Sequence, residues 1–309
     1  MLKPIFFGLL LSLSLLSPSS WAVISAAESM NLSGMQRMLS QRIAKTYLMI
    51  GAEVRPEQAE QQLDQSIAKF ESNYLALSEY APTADIRAAL DDAGQTWQRY
   101  RELALSRPDK QQALLVLQLS DQLLAQSEHL VLLLERHSGA QSAALINRSG
   151  RQRMLSQRIA ALYLAMSWHL PISNLQQSFE QAVSEFDVAL HALQQASQNT
   201  AQISKGLSQA EAQWRFTRAG FNLANDSRYV PTIISTTTET LLWQMHELTN
   251  QYEGVMLAGS YTTESTFAAH PVHRIQPTVI QLAAVTVGHA RIEPLLAMPM
   301  LGDARHIFV

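Results

Sequence analysis

Cysteine is missing altogether from the 309 residues. That one absence excludes disulfides, thiolate metal sites, cysteine nucleophiles and a lipidated N-terminal cysteine. An excess of positive charge is missing too: 23 Lys and Arg against 26 Asp and Glu leave a formal net charge of −3. Nothing in this balance provides the basic field that nucleic-acid binding needs. Beyond the N-terminal segment, no stretch is long and apolar enough to cross a bilayer. Also lacking are a nucleophile with its base and orienting group, paired catalytic carboxylates and metal-ligand spacing, so the chain is expected to be no enzyme and to need no cofactor or metal. His270 and His273 form a spaced pair without carboxylate support, which reads as incidental.

What is present begins with Lys3, the apolar run over residues 5–16 and then Ser20-Trp21-Ala22. A positive, hydrophobic and small-residue succession of this kind reads as a secretory signal peptide over residues 1–22, cleaved after Ala22 or, as second choice, after Ala26. The run is shorter than the roughly 20 apolar residues of a spanning helix. A periplasmic location is therefore expected. The alternative is an uncleaved N-terminal anchor that holds the chain facing the same compartment.

Prolines punctuate the first half at Pro56, Pro82 and Pro108, and each opens a segment with helically spaced apolar residues. Leu63, Ile67, Phe70, Tyr74 and Leu77 follow the first; Ile86, Leu90, Ala93, Trp97 and Tyr100 follow the second; Leu117, Leu124, Val131 and Leu134 follow the third. Spacings of three and four place an apolar stripe on each helix. With a helix from about Ser29 to Gly51, the count of four with short links predicts an antiparallel four-helix bundle.

The chain then repeats itself. "NLSGMQRMLSQRIAKTYL" at 31–48 returns as "NRSGRQRMLSQRIAALYL" at 147–164, differing only at Leu32/Arg148, Met35/Arg151, Lys45/Ala161 and Thr46/Leu162. Ile86, Leu90, Ala93 and Trp97 reappear as Ile203, Leu207, Ala210 and Trp214, and a last helix follows Pro231. The expected organisation is all-α: two tandem four-helix-bundle modules over 27–137 and 140–254, with a weakly ordered tail over 255–309. Between the modules, Ser138-Gly139 either ends a helix or lies within one long shared helix.

At about 100° per residue, Met35, Met38, Leu39, Arg42, Ile43 and Thr46 fall on one side of the repeated helix. Ser33, Arg37, Ser40, Gln41, Ala44 and Leu48 collect on the other. All four differences between the copies fall away from the Arg37 side. Small side chains around one arginine let another helix come close while presenting fixed donors at the contact. A buried arginine needs a partner, and the motif has no Asp or Glu after Glu28. A small anion is one candidate; a carboxylate from a neighbouring helix, such as Asp121, Glu128 or Glu135, is the other. Arg42 and Arg158 read as structural, with apolar-packed stems and heads reaching a carboxylate or backbone oxygen. Tyr47 and Tyr163 read as core. Asn31 and Asn147 begin N-x-S triplets, but read better as helix-cap residues than as glycosylation acceptors.

The pattern N-x-SG-x-QRMLSQRIA, present twice, resembles the first-helix signature of the PilJ-type domain, the N-terminal domain of type IV pili methyl-accepting chemotaxis transducers. That group is related to the sensor domain of NarX/NarQ-type nitrate kinases, where the signature is called the P-box. The resemblance implies a periplasmic four-helix bundle. It also implies that Arg37 and Arg153, the arginines of the G-x-x-RM portion, bind nitrate at a dimer interface, with Gly34, Gly150, Met38 and Met154 as motif neighbours. Gln36/Gln152 before the arginine, and Leu-Ser-Gln-Arg after the methionine, depart from the nitrate sensors and follow the PilJ-type pattern. The expected ligand-binding set is Arg37, Arg153, Gly34, Gly150, Ser33, Ser149, Ser40 and Ser156. The expected partners are a small anion of nitrate or nitrite type, a membrane receptor or kinase, and a second copy of the chain. A helical adaptor that pairs with a membrane receptor and holds no ligand is the alternative function.

Overall fold

The computed structural model of the chain describes residues 24–139, 141–221 and 229–267. Among these the chain is entirely helical apart from its links: α1 (Ala26–Gly51), α2 (Pro56–Tyr80), α3 (Ala84–Ala104), α4 (Lys110–Ser138), α5 (Gln141–Ser167), α6 (Leu175–Gln194), α7 (Ala201–Phe221) and α8 (Tyr229–Phe267). The expected signal peptide, and His270 and His273, lie outside the described residues.

Local chemistry sets the helix starts. Ser25 caps α1 by accepting from the Glu28 amide at 3.0 Å, and Pro56 stands at the first position of α2, where its missing N–H costs nothing. Pro82 and Pro108 sit just before caps: Thr83 accepts from the Ile86 amide at 3.2 Å and Asp109 from the Gln112 amide at 2.8 Å. Gly139 decides the question of one helix or two between the repeats. It ends α4 in the left-handed region at φ 62°, where glycine carries no Cβ penalty.

Two sequence expectations are corrected. Asn31 and Asn147 are not caps, since each lies inside its helix, beyond the first turn of α1 and of α5. The last helix does not stop at Gly254 but continues to Phe267, because Val255 and Leu257 prolong its apolar side and pack on the core. Only residues 268–309 of the expected tail therefore lie beyond the described helix, and they are outside the described residues.

Each repeat buries an aromatic pair between its second and third helices. Phe70 stacks on Trp97 with centroids 4.0 Å apart, and Phe186 lies 4.2 Å from Trp214. In both repeats the first helix packs against the second and fourth, and the third closes against the fourth. The most extensive contact of all joins α1 to α5. Walled by α2 and α4 on one side and α5 on the other, α1 is buried without interruption from Gln36 to Met49. A helix buried all round needs no solvated stripe, and this explains why its polar residues are small or paired rather than exposed.

Because the repeats share this interface, they should unfold together. Phe70→Ala and Phe186→Ala, in different repeats, are each expected to destabilise one common urea transition by about 3–5 kcal/mol. Two resolved transitions, only one of which moves in each variant, would show repeats that unfold independently.

Candidate functional site

The centre of the α1–α5 interface is built on Gly34 and Gly150. A Cβ placed on Gly34 would stand 3.8 Å from the Gly150 Cα, and the reverse distance is the same. Into this close approach come two arginines. That same Gly34 position is 3.1 Å from Arg153 Nη2 and 3.4 Å from Arg37 Nη2; at Gly150 both distances are 3.2 Å. Both guanidinium tips therefore share one small space, and both residues are fully buried.

The two arginines exchange partners across the repeats. Arg37 Nη1 donates to Asn147 Oδ1 at 2.8 Å, and Nη2 to the Asn147 carbonyl at 3.1 Å. Arg153 Nη1 donates to Asn31 Oδ1 at 2.8 Å, and Nη2 to the Asn31 carbonyl at 3.2 Å. The asparagines are oriented in turn by α4 and α8: Asn147 donates to Glu135 and Asn31 to Glu253, both at 2.6 Å. A pseudo-twofold relation thus joins the copies, and it breaks at the remaining partner. Arg37 Nη1 meets Glu128 Oε2 at 2.7 Å, whereas Arg153 Nη1 meets His246 Nδ1 at 3.2 Å. Of the two partners the sequence leaves open, a small anion or a carboxylate from a neighbouring helix, Arg37 has the carboxylate, because α4 brings Glu128 to it. Among the described residues Arg153 has no carboxylate within hydrogen-bond reach. In each arginine the Nε–H has no acceptor.

The expected serines are present at the crossing, but their protons are committed. Ser33, Ser40, Ser149 and Ser156 each donate to the carbonyl three residues back, at 2.9, 2.7, 3.1 and 2.7 Å. They act as small residues that permit close packing, not as donors to a ligand. Gln36 and Gln152 tie the motif helices to the aromatic layer by donating to the Phe70 and Phe186 carbonyls. Arg42 pairs with Glu239 and Arg158 with Asp121, each reaching into the other repeat. Lys45, fully buried, joins Glu239 at 2.7 Å. Tyr47 and Tyr163 lie in the core.

Electrostatics follow this geometry. Burial pulls the Arg153 pKa down to about 9, helped by Arg37 and opposed by Glu253. Burial lowers Arg37 as well, while Glu128 opposes it most strongly. Both remain cations at neutral pH. His246 is pushed down to about 4 by burial, then by Arg153 and Lys69, against Glu247. It is therefore a neutral acceptor under ordinary conditions, the form its contact with an arginine N–H requires.

Sequence reasoning missed Asn31, Asn147 and His246 as members of the site. The asparagines had a signal, since both copies carry Asn six residues before the arginine. His246 had none, because it arrives from α8, far along the chain. Among the described residues, no group of three or more His, Asp or Glu is arranged to hold a metal.

A buried pair of polar-fringed arginines thus joins duplicated four-helix units of one all-helical protein. Residues 19–125 and 137–227 match the model of the PilJ family, described as type IV pili methyl-accepting chemotaxis transducer N-term, and the chain belongs to that family. The family is one of sensory transducer domains. No curated protein and no solved structure gives a match.

Two predictions arise here. Glycine to alanine inside a helix ordinarily gains up to about 1 kcal/mol. That gain is expected at Gly254, which has nothing near its missing Cβ, whereas Gly34→Ala and Gly150→Ala must push arginine tips at 3.1–3.4 Å and should destabilise the protein in urea titrations. Equal gains at all three positions would show that the crossing has slack.

The second concerns pH. Between the ordinary histidine pKa of 6.5 and about 4, the unfolded chain binds a proton at residue 246 that the native state refuses. Stability is then complete above about 6.5 and is lost as pH falls through that window. Comparison of urea midpoints at pH 7 and pH 5 should show a smaller drop for His246→Gln than for the natural chain. Equal drops would show that the native state does not hold this imidazole neutral.

Proposed function

We propose that this sensory-type protein works in the periplasm, takes up a small oxyanion of nitrate or nitrite type at the α1–α5 crossing, and passes its state to a membrane receptor or kinase. The observation that carries the reading is Arg153: a fully buried guanidinium with one neutral histidine and one asparagine on its outer nitrogens, and an Nε–H without an acceptor. A buried cation of this kind gains from an anion that accepts charge-assisted hydrogen bonds in a poorly solvated place. Arg37 adds a second positive charge, and Gly34 and Gly150 set the spacing. Pairing between α1 and α5 supports a reading in which the two repeats do within one chain what two receptor subunits do across an interface. A second copy of the chain is then not needed to complete the site.

Export by the N-terminal segment agrees with the sensory family, and no helix among the described residues is long and apolar enough to cross a membrane. On this reading the signal leaves the protein through contact with a partner. The Arg37–Glu128 ion pair favours the non-binding adaptor, since it satisfies that arginine from within the protein, so the anion reading stands on Arg153.

Calorimetric titration with sodium nitrate and sodium nitrite tests the proposal. Heat is expected from the natural protein, with an affinity at least about tenfold weaker in Arg153→Ala, a loss of about 1.4 kcal/mol or more. Unchanged heats in both Arg37→Ala and Arg153→Ala would reject the site. A flat titration combined with chemical crosslinking to a membrane receptor would instead establish the adaptor.

A further inference from the structure

The partners supplied by α4 and α8 correspond position by position. Gln41 donates to the Ser120 carbonyl and Gln157 to the Thr238 carbonyl, which sets Ser120 opposite Thr238 in the two repeats. From that register Asp121 corresponds to Glu239, Glu128 to His246 and Glu135 to Glu253. The structure uses them equivalently: Asp121 and Glu239 bind Arg158 and Arg42, and Glu135 and Glu253 bind Asn147 and Asn31. Acid stands opposite acid in the outer two pairs. Only in the middle pair, where the side chain touches the buried arginine, is a carboxylate replaced by an imidazole.

The surroundings follow the same asymmetry. Glu128 is shared with Arg151, whose Nη1 lies 3.3 Å away, and Arg151 also holds Glu185 at 2.9 Å. The residue corresponding to Arg151 in the first copy is Met35, which has no charge to offer. One half of the crossing is thus a closed ion network and the other is a cation with a neutral neighbour. His246 and Glu128 are both half-buried, so the halves differ in the charge of the side chain that lies between solvent and the arginine, not in its exposure.

Resting on the anion reading above, we propose that the chain takes one small oxyanion, on Arg153 alone, because Glu128 is a tethered carboxylate that already fills the equivalent position on Arg37. The first repeat then holds a permanently occupied arrangement and the second is the responsive one. His246 fills that position on Arg153 with a neutral nitrogen 3.2 Å from Nη1, which an incoming oxyanion displaces, whereas a carboxylate in its place would satisfy Arg153 from within. An incoming oxyanion provides on Arg153 the negative oxygen that Glu128 Oε2 provides on Arg37.

Exchanging the two residues tests this. Nitrate stoichiometry by calorimetry, and melting temperature with sodium nitrate against equal sodium gluconate, are compared for the natural chain, His246→Glu, Glu128→His and the double exchange. One nitrate per chain is expected for the natural protein. His246→Glu should bind at least about tenfold more weakly and melt higher without nitrate. Glu128→His should melt lower and regain the loss when nitrate is added, and its stoichiometry should rise toward two. In the double exchange one site should remain, now lost with Arg37→Ala instead of Arg153→Ala. Two nitrates per natural chain, undiminished binding in His246→Glu, or a double exchange that still depends on Arg153 would each overturn the single-site assignment while leaving the anion reading intact. No nitrate heat in any of the four proteins would remove the anion reading itself and this assignment with it.

Discussion

Two guanidinium groups buried against each other at one helix crossing are the constraint around which the remainder of this protein is arranged. Like charges in a poorly solvated place repel and lose their hydration, so each must be compensated by fixed groups within hydrogen-bond reach. The glycines at 34 and 150 bring the helices close enough for the tips to share a space. Asn31 and Asn147 receive them across the repeats, and Glu253 and Glu135 hold those asparagines in turn. Removing the closeness would leave the arginines with no common environment, and removing the asparagines would leave buried donors unanswered.

Duplication within one chain makes that arrangement free to become unequal. Two identical subunits must present the same residue on both sides of a twofold axis, but two repeats in tandem need not. Glu128 and His246 exploit this freedom at equivalent positions of α4 and α8 that touch the arginines, while Asn147 and Asn31 remain alike. The cross-repeat pairs Arg42–Glu239 and Arg158–Asp121 bind the halves together on both sides of the crossing.

Much of the architecture was legible beforehand, for reasons specific to particular residues. Apolar spacing after Pro56, Pro82 and Pro108 marked α2, α3 and α4, and the repetition of Ile86, Leu90, Ala93 and Trp97 marked their counterparts. The motif helix was recognised through its small residues around Arg37. Asn31 was misread because a short polar residue before Ser-Gly has the composition of a cap. Its real work, accepting from an arginine more than a hundred residues away, leaves no trace in local composition. The end of α8 was misread at Gly254, since packing of Val255 and Leu257 on the core outweighs the weak local signal of one exposed glycine.

The amino-acid order alone determined that the chain is all-helical, that it is built twice, and that each copy places an arginine among small residues, because helical period and internal repetition are properties of neighbouring residues. Only the tertiary structure decided which groups meet those arginines. Glu128 and His246 lie about ninety residues from them, and no short-range pattern connects such positions. Their juxtaposition is set by the register in which α4 packs on α1 and α8 packs on α5, and that register depends on side-chain packing over the whole length of each helix.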